Sequence, residues 1–131
     1  MSNKDNIVNY GISLKSIKKA LSDGIFDEVY REISGKSGVI ASSQARKILE
    51  EVRRIKDTRD KKEMKNRIVK ILLILEYQNK RGIIESNVAE EYKKILSSAL
   101  ELTDSSDNPQ QLGKNLYDLI EMLTIKFYKR D

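Results

Sequence analysis

A single proline in 131 residues, Pro109, narrows the fold more than any other feature of the chain. Hairpins and tight turns draw on proline and glycine, and six glycines spread over this length leave few places to reverse at short intervals. Long helices suit such a chain. The proline itself stands where a helix tolerates it: Asn108 caps, Pro109 occupies the first turn and Gln111 follows at the third position. The helix it opens carries Leu112, Leu116, Leu119, Ile120, Leu123 and Phe127 on one face and ends in Lys129-Arg130, where positive charge suits a helix C-terminus.

The same periodicity recurs upstream. Ser13 caps a short helix bearing Leu14, Ile17, Ala20 and Leu21, stopped by Gly24. A second carries Phe26, Val29, Tyr30 and Ile33 and stops near Gly35. The third runs from Ser43 to Lys56, with Ala45, Ile48, Leu49, Val52 and Ile55 as its apolar stripe. After a connection over 57–60, Asp60 and Glu63 form a capping box for the fourth helix. From Ile68 to Leu75 that helix is apolar almost all round, so it is expected at the centre of the bundle, with Leu72 in the core. A fifth is expected from Asn87 to Thr103, capped by Asn87 and Glu90, with Val88, Tyr92, Ile95, Leu96, Ala99 and Leu100 facing inward. The expectation is an all-α, single-domain bundle of five to six helices over 13–131, after a flexible N-terminal tail at 1–12.

Cysteine and histidine are both absent. That removes disulfides, thiolate metal sites, cysteine nucleophiles, imidazole acid–base chemistry and histidine metal ligands. The carboxylate pairs Glu50-Glu51, Glu90-Glu91 and Asp104 with Asp107 lie on solvated helix faces or in a loop, not in the apolar setting that general-acid work needs. No EF-hand spacing is present. Gly35-Lys36-Ser37 imitates the end of a phosphate-binding loop, but Tyr30 stands where the motif needs its first glycine and no strand precedes it. The reading is a non-enzyme without cofactor or metal. No apolar signal core opens the sequence, and the most apolar stretch, Ile68 to Leu75, is far shorter than the roughly 20 residues that span a bilayer. A soluble, cytoplasmic protein without a membrane partner is expected.

Net charge is +5, and its distribution carries more information than the total. From Arg46 to Lys70 there are eleven basic and five acidic residues, so the whole excess falls in one quarter of the chain. Arg46 and Arg53, seven apart, project together beside the apolar stripe of the third helix, while Lys47 and Arg54 lie on its far, solvated side. Lysine and arginine without interleaved aromatics suit phosphate contacts and little base reading. Most tyrosines are expected at the core edge. Tyr77 is the exception, because Arg81 shares its helix face: such a pair either stacks on a base while meeting a phosphate or is simply a tyrosine packed under an arginine stem. On charge alone the run is either the solvated face of a stable helical protein or a functional surface, and for the latter three readings compete: an RNA-binding scaffold, an adaptor whose basic surface meets an acidic protein, and a small DNA-binding regulator. A helix-turn-helix over 43–81 fits the outline, but its second helix is too apolar to read a groove.

Ser43-Gln44-x-Arg46-Lys47, followed by Val52-Arg53-Arg54-Ile55, resembles the opening of the small helical subunit of Csm-type (type III) CRISPR effector complexes. "LLILEYQNKRG", with Tyr77 and Arg81, is similar to that family's leucine-rich helix, and "LYDLIEMLTIKFYK", with Glu121, to its final helix. The likeness covers residues 40–129. It implies a non-catalytic subunit of an antiviral defence complex, with RNA cleavage left to neighbouring subunits. Copies would stack head to tail as an inner filament beside the other subunits, their basic face lining the channel of the guide–target duplex and contacting its backbone. Sequence would then be read by guide pairing. Carried over by position, Arg46, Arg53, Arg54 and Arg81 are the contact residues. Lys47, Lys56, Arg59, Lys62 and Lys65 join them on charge and spacing alone.

Overall fold

The computed structural model describes residues 11–35 and 37–128. Among the described residues six helices follow one another: α1 (Leu14–Asp23), α2 (Asp27–Ile33), α3 (Ser42–Lys56), α4 (Lys61–Lys80), α5 (Ser86–Ser105) and α6 (Pro109–Phe127). No strand occurs among the described residues; one isolated pairing, Ile40 N–H donating to Phe127 O at 2.8 Å, ties the segment before α3 to the end of α6. The protein is all-α.

Helices α3, α4, α5 and α6 form a ring of four, each packed on the next, with α3 and α6 also in contact. Helices α4 and α6 therefore stand diagonally across the core. Helix α1 lies over α5 and α6, and α2 rests on α1 and α6. The core is aliphatic: Ile48, Val52 and Ile55 from α3, Ile68, Ile71 and Leu75 from α4, Ile95 and Leu96 from α5, Leu116, Ile120 and Leu123 from α6. Ile12 is buried as well; its N–H reaches Glu91 Oε1 at 3.3 Å and its carbonyl accepts from Lys94. Residues 1–10, Lys36 and residues 129–131, with the basic end expected at Lys129-Arg130, lie outside the described residues.

Three helix starts follow their sequence signals. Ser13 accepts from Ser16 N–H, Asp60 from Glu63 N–H and Asn108 from Gln111 N–H. The long side chains do not close the boxes: Glu63 pairs with Arg67 at 2.9 Å, and Gln111 donates to Asn115 Oδ1. Gly24 takes the left-handed conformation, φ 69°, that ends α1.

Three expectations are corrected. Helix α5 starts earlier than expected, at Ser86 with Glu85 in the cap position two residues before Asn87, because the Asn87 amide donates to Ser37 O at 3.0 Å instead of capping. Helix α4 is not buried all round. Only α3 and α5 pack closely against it, so Val69 and Leu73 face solvent although the run from Ile68 to Leu75 is apolar but for Lys70, and Leu72 is half-buried at the edge of the core. The helix most enclosed by neighbours is α6, which meets α1, α2, α3 and α5. Tyr30 stands in solvent instead of at the core edge, since α2 covers the bundle only with Val29 and Ile33.

Candidate nucleic-acid interface

Helix α3 buries Ala45, Ile48, Val52 and Ile55, with Leu49 packed beside them. Because α4 and α6 flank it on two sides, roughly a third of its circumference stays open, at 100° per residue. Arg46, Lys47, Glu50, Arg53 and Arg54 fill that arc and all are exposed. The helix spans about 22 Å at 1.5 Å per residue, and the cations from Arg46 to Arg54 cover about 12 Å of it.

Two edges of this face differ. Arg46 and Arg53 border a groove between α3 and α6 that also exposes Leu49, Tyr117, Glu121 and Tyr128. Lys47 and Arg54 border a second groove, between α3 and α4, so they too lie beside the apolar stripe, on its opposite flank. Arg54 is tied to Glu51 at 3.0 Å, and Lys70 of α4 approaches the same carboxylate at 3.9 Å. Arg46, Lys47 and Arg53 take part in no ion pair among the described residues.

Arg53 is held without being neutralised. Its Nη2 donates to the Tyr117 hydroxyl at 3.4 Å, and the guanidinium lies 5.9 Å from the ring centroid. Lys56 approaches the same ring at 4.9 Å. The Tyr117 hydrogen bond, with the nearby Asp57 and Glu50 charges adding to it, pushes the Arg53 guanidinium above its ordinary value, so it stays charged at every working pH. Nothing local in the sequence marks Tyr117 for this role. It lies 64 residues away, and only the packing of α6 on α3 brings it close.

The remaining basic positions scatter. Arg81 lies over Tyr77, 5.4 Å from its centroid, and donates to Gln78, whose amide in turn reaches Gln44 at the start of α3. This chain links Arg81 to the N-terminal half of the α3 face. Arg59 and Lys62 are exposed at the other end, after α3 and in the first turn of α4. Lys65 turns away, bonding Asp104 of α5 at 2.9 Å, and is not part of one surface with the α3 cations.

The carboxylates have ordinary partners: Glu51 has Arg54, Asp104 has Lys65, and Glu90 has Lys93 at 3.7 Å. Among the described residues no group of three or more acidic, histidine or cysteine side chains is placed to hold a metal ion. No helix there is long and apolar enough to cross a membrane.

Neither a curated protein nor a solved structure matches this sequence. The sequence model described as Csm2 Type III-A matches residues 24–129, which takes in α2 to α6 and the whole basic face. The chain belongs to the Csm2 type III-A family, the small subunit of the type III-A CRISPR complex.

Proposed function

We propose that this subunit is a non-catalytic RNA-binding scaffold whose α3 face meets the sugar–phosphate backbone of the guide–target duplex. Copies of it assemble into an inner filament along that duplex, beside the other subunits. The carrying observation is the open arc of α3, where Arg46, Lys47 and Arg53 project into solvent free of ion pairs among the described residues. Such cations release counterions from phosphates and read no base edges, which suits a complex whose sequence recognition resides in base pairing.

Salt titration with duplex RNA tests the reading. Each phosphate contact adds about 0.7–0.9 to the slope of log affinity against log salt. The double variant Arg46→Glu with Arg53→Glu should lower that slope by about 1.5 and weaken binding more than tenfold at low salt, with helical content unchanged by circular dichroism. Unchanged RNA affinity would show that the face has another purpose, and tight, sequence-selective DNA binding would favour a regulator. Retained affinity only for an acidic protein partner would favour an adaptor.

A further inference from the structure

Two apolar surfaces stand on opposite sides of the bundle. On α4, Val69, Leu73 and Tyr77 recur every fourth residue, and Leu73 is 61 % exposed. A monomeric helical protein usually spends such a stripe on its own core or on a partner. Across the molecule, α2 and α6 enclose a groove of about 530 Å³. Ile33 and Met122 line its floor, and its walls are Tyr30, 63 % exposed, and Ile125, 71 % exposed.

Charge tells these surfaces apart. The α4 ridge is flanked by Lys62, Lys70, Lys80 and Arg81 and by the acids Glu63 and Glu76. Glu63 pairs with Arg67, Glu76 with Lys80 at 3.5 Å and Lys70 with Glu51 at 3.9 Å, which leaves Lys62 and Arg81 without an ion pair among the described residues. The groove carries Asp118 and Glu121 against Lys126. Lys114 bonds Asp118 at 3.2 Å, and Lys126 donates to Ser34 O, whereas Glu121 makes no ion pair among the described residues. Ridge against ridge would oppose lysines, and groove against groove would oppose carboxylates. Ridge into groove satisfies both.

We propose that the α4 ridge of one copy docks into the α2–α6 groove of a second copy, Leu73 entering between Tyr30 and Ile125 with the ridge lysines facing Glu121. This deepens the filament reading above and rests on it. Because α4 and α6 are diagonal in the ring, each copy offers its ridge on one side and its groove on the other. The contact is heterologous, so it propagates as an open row and does not close into a two-fold dimer.

Sedimentation velocity on the full chain over a concentration series tests it, with no RNA present. The wild type should grow beyond a dimer. Leu73→Asp and Ile125→Asp each alter a solvent-facing residue, should keep native helicity, and should each weaken self-association about 10- to 100-fold. An equimolar mixture of the two variants should stop at a 1:1 pair, because each keeps the surface the other lacks. A wild type monomeric to millimolar concentration, a single variant that still polymerises, or a mixture that stays monomeric overturns the proposal. The RNA reading is judged separately, by the affinity of the Leu73→Asp monomer for a duplex too short to bridge two copies.

Discussion

The contact between Tyr92 and Thr124 lets one hydrogen bond be taken apart with its direction known. Both residues are buried, and the two oxygens lie 2.8 Å apart between α5 and α6. Thr124 has one hydroxyl hydrogen, and it goes to Ile120 O at 2.7 Å. Tyr92 must therefore be the donor. Tyr92→Phe removes one bond and leaves a lone pair on an oxygen whose own hydrogen is still placed, at a cost of about 1 kcal/mol. Thr124→Val keeps the shape but strands a buried O–H, at a cost of about 2–3 kcal/mol. The double variant should cost about 1 kcal/mol less than the sum, because the stranded donor is gone. Urea unfolding of the four proteins at a common slope reads all three values. Equal single costs that add would refute the assigned direction. A pH arm uses the same pair. Burial pushes the Tyr92 hydroxyl up to about 12. A raised folded value means that the native state keeps its proton while the unfolded chain loses it. The stabilisation is complete below pH 10 and is lost as pH rises from 10 to 12, on the order of 2–3 kcal/mol in all. Tyr92→Phe should lack that part of the alkaline loss.

Two further substitutions test the packing. A Cβ added at Gly113 would lie 3.0 Å from the Ile55 carbonyl and 3.3 Å from Met64 Cε, so α3 and α6 would have to part slightly. Gly113→Ala should lower stability by about 1 kcal/mol despite its better helix propensity, and a rise in melting temperature would show that the helices yield freely. Ile71→Asp places a carboxylate in the aliphatic core and should leave no folded protein, whereas Leu72→Asp, at the half-buried edge, should remain helical and soluble at 25 °C with reduced stability. A soluble, helical Ile71→Asp protein would contradict the observed core.

Helix boundaries were legible where the signal was local. Ser13, Asp60 and Asn108 each bond an N–H three residues on, and such contacts depend on nothing distant. Asn87 carries an equally good cap residue type, yet its amide is drawn to a carbonyl 50 residues earlier, and α5 begins without a side-chain cap. The apolar run in α4 misled for a related reason. Periodicity states how much of a helix is apolar, but the number of neighbours decides how much is covered, and α4 is closely packed by two. Leu73 and Val69 remained outside, which is why a surface that reads as core in the sequence is available for docking in the fold.

The cations divide along the same line. Those on α3 could be placed from spacing, because an exposed arc of about 120° follows from an apolar stripe. Which of them keep their charge free could not, since that depends on the side chains opposite. Arg54 meets a carboxylate and loses much of its pull on a phosphate; Arg53 meets a phenol, which orders it and leaves its charge intact. The free positive charge therefore leans toward the α6 edge of the face, where the α3–α6 groove ends at Glu121 and Ile125. These two residues also wall the α2–α6 groove. A carboxylate at that boundary, in no ion pair among the described residues, repels a phosphate backbone and attracts a lysine ridge. One side chain, Glu121, thus separates the track proposed for RNA from the seat proposed for the neighbouring copy, so Glu121→Lys should weaken assembly while drawing RNA across the boundary.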